Sequence, residues 1–377
     1  MYPLFTQPPY LSPLLGDQYA FRPSGSTTSA LVSLLQITTV LLETHPYVHV
    51  ISFNYSKAFD TVRHHSLMSQ VAKINIHDQL YNWFMHFLTG RTRTKFDSAV
   101  SPLASINAGV VQGSALGPSA FSLCVSAYRP ITPGNQALKY ADDMYLIVPS
   151  SNTNTISDEL NHIASWASSN NLRLNPSKSA EMIIKKPRSR IPDPPILSNL
   201  PRVTTMKVLG VTLQANLHMK THVDNMVAKA NQALYALQLV RSHGLPPTLM
   251  DIVTRSTLLS SMTYASPAWF GFANSEDLAR LQAPINRACK WGLLSQPSPP
   301  LYDSLCHKSD VNLFNKVITF SGHVLHSLLP PKQNFTYHLR PRYHSFTLPA
   351  LSNSLQRNFL YRMLYKMSFV KQTKNTE

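Results

Sequence analysis

Apolar and polar positions alternate along the chain with two different periods, and the changes of period mark its elements. Between Ser26 and Glu43 the apolar residues Ala30, Leu31, Leu34 and Leu35 keep helical spacing, and Ser26 or Thr27 stands where a cap belongs. VHVISF (48–53) reads as a strand and runs into NYSKAFDTVRHH. Leu67, Val71, Leu80, Trp83, Phe84 and Phe87 predict one helix across Ser66 to Leu88. GRTRTKF (90–96) sets basic residues at alternate positions after a glycine, as in an exposed hairpin or edge strand. GVVQGSALGP (109–118) is a turn leading into the apolar helix AFSLCVSAY, and ALKYADDMYLIV (137–148) reads as a hairpin. A helix over Ile156 to Asn170 then precedes the turn and strand of LRLNPSKSAEMIIKK.

The pattern changes in the second half. The proline-rich stretch PRSRIPDPPILSNLP (187–201) marks a boundary, and MKVLGVTL (206–213) reads as one strand. Val223, Met226, Val227, Ala230, Leu234, Leu237 and Val240 recur at helical spacing, with Gly244 as the stop. Asn274 or Ser275 caps a further helix that runs through Cys289. From 297 onward the chain is basic, contains proline and has little periodicity. Helices and a small sheet followed by a helical unit predict an α+β fold with an appended helical domain.

Composition narrows the function. Of 377 residues 44% are hydrophobic, enough for a sizeable core and too many for a disordered chain. Lys and Arg number 34 against 18 Asp and Glu, a formal charge of +16 that implies a polyanionic partner, nucleic acid ahead of an acidic membrane surface. Cys124, Cys289 and Cys306 are far apart, which supports neither a disulfide framework nor a cysteine zinc site. The longest apolar run, LVSLLQITTVLL (31–42), is shorter than the roughly 18 residues of a membrane span. Met1 is not followed by a signal-peptide pattern, so a soluble intracellular protein without a membrane partner is expected.

Against this scarcity of carboxylates, Asp142 and Asp143 stand side by side in a strand-forming run. Adjacent like charges repel. The pair is either a turn between two strands or two carboxylates held at a hairpin tip to bind a divalent metal.

Six segments in order resemble the motifs of reverse transcriptases of the non-LTR, LINE-type retrotransposon family. QYAFRPSGSTTSAL (18–31) resembles the segment before the polymerase palm, and NYSKAFDTV (54–62) the first catalytic motif. GVVQGSALGP (109–118) is similar to the template-and-nucleotide motif and YADD (140–143) to the metal-binding hairpin. WASSNNLRLNPSKS (166–179) and KVLGVTL (207–213) resemble the next two. The resemblance implies a right-hand polymerase: partial fingers and palm over 1–200, palm end and helical thumb-like region over 201–296, and a basic C-terminal region over 297–377. It implies addition of deoxynucleotides to a DNA primer 3′-hydroxyl on an RNA template, with two Mg²⁺ (or Mn²⁺) ions. By resemblance, Asp142 and Asp143 ligate metal and, with Tyr140 and Ala141, form the hairpin motif. Phe59 blocks a ribose 2′-hydroxyl, Gln112 touches the nucleotide or template, and Gly113 allows close backbone approach. Lys178 is the counterpart of the proton donor to pyrophosphate, and Arg91, Arg93 and Lys95 are expected to contact phosphates.

One departure bears on the chemistry. The family's first motif begins with an Asp six residues before the Asp of AFD, and here that position is Asn54. An amide offers one neutral oxygen in place of a carboxylate that bridges two metals. Asp60 is no substitute, because six extended residues span roughly 20 Å. Val111 stands where the family has Pro, and residues 1–17 hold no counterpart of earlier finger segments or of an endonuclease. An N-terminally truncated, impaired polymerase is therefore expected, or a silent or decayed descendant that binds RNA or DNA through its charge.

Overall fold

The computed structural model describes residues 14–368, apart from 75, 89, 93, 112, 187–188, 198–199, 297, 334–342 and 351. Two compact units divide them: one within 14–30, 48–183 and 192–203, the other within 31–47, 184–191 and 204–368. Helix α1 (Thr27–Thr44) starts in the first unit and belongs to the second from Leu31. The Ser26 hydroxyl accepts the Ser29 N–H at 3.0 Å, so Ser26 is its cap. Helix α1 is long and apolar enough to cross a membrane, with 18 residues at mean hydropathy 1.2, yet 61% of it is buried within the protein. It is a core helix of this fold, longer than its apolar run suggests.

In the first unit, β1 (Tyr47–Phe53) leads through β2 (Tyr55–Ser56) into a single helical turn, α2 (Ala58–Thr61). The helix expected over Ser66 to Leu88 is two helices, α3 (His64–Val71) and α4 (Asp78–Leu88). The reason is Asp78: one continuous helix would carry it onto the stripe of Leu67, Val71 and Ile74. Broken there, the chain leaves Asp78 exposed in the first turn of α4, where a carboxylate favours the helix dipole.

The basic segment forms an exposed ribbon of paired strands, β3 (Gly90–Thr92) with β6 (Ala104–Ile106) and β4 (Lys95–Phe96) with β5 (Ala99–Val100). Helix α5 (Gly117–Val125) is almost wholly buried. Strands β7 (Gln136–Tyr140) and β8 (Asp143–Pro149) form the expected hairpin, and α6 (Ile156–Ser169), β9 (Arg173–Leu174) and β10 (Ala180–Lys185) follow.

The central sheet has the order β10–β1–β8–β7. β1 and β8 run antiparallel, with Val50 opposite Ile147 and Phe53 opposite Met144. Ile51, Phe53, Met144, Leu146 and Val148 share a core with Phe121 and Cys124 of α5 and Ile163 of α6. Neither sheet edge is left bare. Gln18 bridges to Lys139 on β7, and Arg202 bridges to Glu181 on β10. That second cover is stapled by charge: the fully buried Glu181 pairs with His49 and Arg202, each at 2.7 Å.

In the second unit, MKVLGVTL is not one strand but a hairpin of β11 (Thr205–Val208) and β12 (Val211–Gln214). Leu209 and Gly210 both take positive φ, +44° and +89°, as a type I′ turn demands. Helix α7 (Lys220–Ser242) ends before Gly244 at φ +88°. Helix α8 (Pro247–Thr254) continues into a π-helical turn, Arg255–Leu259. Helix α9 (Ser275–Lys290) opens on a full capping box between Asn274 and Asp277. Two helices then stand where the sequence showed little periodicity, α10 (Tyr302–Thr319) and α11 (Phe359–Ser368). The buried stripe of α10 includes Asp310, which binds Arg362 of α11 at 2.9 Å. A carboxylate on a buried stripe breaks the apolar pattern, and its partner lies 52 residues away.

Candidate active site

The hairpin β7–β8 presents the acidic pair at its tip. Tyr140 pairs with Asp143, leaving Ala141 and Asp142 as a two-residue loop. Ala141 alone of these has positive φ, +55°, the signature of a type II′ turn, which usually takes glycine at that position. Tyr140, Ala141, Asp142 and Asp143 are all half-buried.

Opposite them, β1 ends at Phe53 and Asn54 follows between β1 and β2. The Asn54 side-chain Nδ2 donates to Asp143 Oδ1 at 3.1 Å. Strand β2 pairs with β9, and the Asn175 N–H donates to the Asn54 carbonyl at 2.8 Å. This places Lys178, exposed in the short 3₁₀ turn Pro176–Lys178, within electrostatic reach of Asp143. Burial pushes the Asp143 carboxyl above the usual carboxylate range, and the neighbouring Asp142 charge adds to this. The Asn54 hydrogen bond and the Lys178 charge oppose it.

The structure thus brings together four of the residues singled out from sequence: Asn54, Asp142, Asp143 and Lys178. Phe59 sits in α2, half-buried, stacked on Phe121 with ring centroids 4.4 Å apart and edge-on to Phe21 at 6.3 Å. Its carbonyl accepts the Val110 N–H at 2.8 Å, which ties the first motif to the 109–118 turn. Gly113 is exposed at φ +81°, with open space on its side-chain face. Gln112 and Arg93 lie outside the described residues, and for Arg91 the backbone alone is described, within β3. Lys95 is exposed on the ribbon. Asp60 lies in α2, in its first turn.

Sequence reasoning missed the supports of the tip. Lys139, one residue before Tyr140, is buried and pairs with Asp17 at 2.9 Å. Its Nζ also donates to the Val125 and Tyr128 carbonyls at the end of α5, at 3.0 and 2.7 Å. A lysine inside a strand-forming run was the available signal. Gln18 Oε1 accepts the Ala141 N–H at 3.1 Å, which nothing in the sequence discloses.

The donor set can be tested against a divalent cation. Two adjacent half-buried carboxylates, one with its charge disfavoured by burial, fit such an ion, and oxygen donors suit Mg²⁺ and Mn²⁺. The third position supplies a neutral amide, and among the described residues no three His, Cys, Asp or Glu side chains gather as a metal site.

Residues 7–213 match the sequence model of the family described as reverse transcriptase (RNA-dependent DNA polymerase). The chain belongs to this family. It is 28% identical over 222 residues to the RNA-directed DNA polymerase from mobile element jockey of Drosophila melanogaster, covering 55% of this chain and 24% of that protein. It is 26% identical over 294 residues to the probable RNA-directed DNA polymerase from transposon BS of the same fly, covering 72% of this chain and 32% of the relative. The match therefore spans about a quarter to a third of the length of these relatives. These relatives agree with the LINE-type assignment read from the motifs. Among solved structures, telomerase from Candida tropicalis in complex with a telomeric RNA fragment is similar at a TM-score of 0.44 and 13% identity, over 83% of this chain and 53% of that one.

Proposed function

We propose that this reverse transcriptase adds deoxynucleotides to a DNA primer on an RNA template at the Asp142–Asp143 tip, and does so weakly. The observation that carries the reading is the approach of Asn54 to Asp143, because it sets the opening position of the first catalytic motif directly against the carboxylate pair at 3.1 Å. Asp142 and Asp143 would hold the divalent cation, with the Asn54 amide as the neighbouring polar group. When bound, the cation supplies charge neutralisation at the triphosphate and lowers the pKa of the primer 3′-hydroxyl. The chain's own groups do the rest. Lys178, exposed and within electrostatic reach of Asp143, would give a proton to the departing pyrophosphate. Phe59, packed against Phe121 and Phe21, would disfavour a ribonucleotide 2′-hydroxyl by its bulk.

The weakness follows from the direction of one hydrogen bond. Asn54 faces Asp143 with its N–H₂, so it occupies a carboxylate lone pair and adds no negative charge. We assign partial fingers and palm to 1–200, a thumb-like region to 201–296 and an accessory basic region to 297–377, in an intracellular setting. The +16 charge supplies template and primer binding that does not depend on the tip.

The test is RNA-templated extension of a DNA primer by the purified chain in Mg²⁺ and in Mn²⁺, beside Asp142→Ala. Slow extension lost in the variant is expected. Extension that survives Asp142→Ala places the chemistry elsewhere.

A further inference from the structure

Gln18 is fully buried, and its Oε1 accepts two backbone N–H groups, Ala20 at 2.9 Å and Ala141 at 3.1 Å. Ala141 is the first loop residue of the acidic tip and holds φ +55°, a conformation that costs an alanine and not a glycine. From this we infer that Gln18 is a positioning residue for the Asp142–Asp143 tip, an inference that rests on that tip being the nucleotidyl-transfer site.

Three further observations support the assignment. The backbone around Gln18 is docked along β7: Tyr19 N–H donates to the Lys139 carbonyl at 2.9 Å, and Lys139 N–H to the Asp17 carbonyl at 2.8 Å. An ion pair between Asp17 and Lys139, at 2.9 Å, locks the same register. Gln18 is therefore held against the strand that delivers the tip and has little freedom to follow it if it moves.

The amide's orientation is fixed by its partners, since a flipped amide would point N–H₂ at two N–H donors. In this orientation its Nε2 is buried with no hydrogen-bond partner. An orphaned buried donor is a cost, and a methionine would fill the same volume without it. What Gln18 adds beyond volume is the oxygen that holds Ala141. With Ala141 fixed, Asp142 follows at a set angle and Asp143 stays opposite Tyr140.

The experiment compares Gln18→Met, which keeps volume and loses the acceptor, with Gln18→Glu, which keeps an acceptor, in the full chain. Residue-resolved hydrogen exchange at Ala141 reads the tether, and Mn²⁺ affinity by electron paramagnetic resonance reads the tip. Gln18→Met is expected to speed Ala141 exchange by about tenfold and to weaken Mn²⁺ binding several-fold, with exchange in β8 unchanged. Gln18→Glu is expected to restore slow exchange at Ala141. Unchanged Ala141 exchange in Gln18→Met overturns the inference, and so does faster exchange with unaltered Mn²⁺ affinity in a protein whose Mn²⁺ binding needs Asp142. If Asp142→Ala leaves Mn²⁺ binding intact, the cation site itself is misassigned, and Ala141 exchange alone decides whether the tether exists.

Discussion

The Asn54 side chain gives a hydrogen bond to the carboxylate of Asp143 across 3.1 Å, from the end of one central strand to the start of its neighbour. An amide donor there calms a carboxylate that burial and Asp142 both unsettle. A carboxylate at 54 would do the reverse without metal and would strengthen the site with it. The same contact therefore stabilises the metal-free fold and, under the function proposed above, limits the chemistry.

Asn54→Asp is expected to lower the stability of the metal-free protein by about 1–3 kcal/mol, by losing a charge-assisted bond and adding a third carboxylate. Millimolar Mn²⁺ should reverse the loss. Thermal melts of both proteins with and without MnCl₂ check this. A variant equally stable in the absence of metal would contradict the described contact.

Lys139 gives a pH signature. Burial pushes its ammonium down to about 8, against the pull of Asp17. With the folded value below the unfolded one, the unfolded chain holds more protons between pH 8 and the ordinary lysine range. Stability from this group therefore rises with pH across that window, by up to ~1.4 kcal/mol per unit. Urea unfolding of wild type and Lys139→Met from pH 7.5 to 10 should show the wild type gaining relative to the variant. At pH 7 the variant should still be the less stable, because the Val125 and Tyr128 carbonyls lose their donor.

Glu181 runs the opposite way. Burial alone would raise it, but bonds from His49 and Arg202 outweigh burial and hold it below the usual carboxylate range. Its contribution is present at neutral pH and is lost as pH falls through its depressed value. Glu181→Gln should cost about 1–3 kcal/mol near pH 7, because it removes the charged acceptor that the half-buried Arg202 and the buried His49 share. That deficit should shrink on acidification. Chemical denaturation at pH 7 and at pH 3 measures both.

What the sequence discloses and what it hides divide along physical lines. The tip hairpin, the Ser26 and Asn274 caps and the helix over 156–169 were legible because each depends on residues a few positions apart. The break at Asp78 and the turn at Leu209–Gly210 were misread because an apolar period carried across them. Helices α10 and α11 were unassigned because their seam includes a buried Asp310 paired with the half-buried Arg362. In the site, the motif residues were singled out by their resemblance to a family's motifs, since the Asp142–Asp143 pair alone reads equally as a turn. The hydrogen bonds Gln18 accepts from Ala141 and Asn175 gives to Asn54 join positions 123 and more than 100 residues apart, and no local pattern encodes them.

The capping box offers a control remote from the tip. Asn274→Ala removes the acceptor for the Asp277 N–H at 2.7 Å and should cost about 1 kcal/mol, with no change in Mn²⁺ binding. Paired denaturation and metal titration test that independence.

The most direct measurement is the rate of RNA-templated primer extension by wild type beside Asn54→Asp. If the amide limits the chemistry, the carboxylate variant is faster by at least ~10–100-fold, and adding Asp142→Ala abolishes the gain. Equal rates in wild type and Asn54→Asp would contradict the account, because the side chain facing Asp143 would then not limit the reaction.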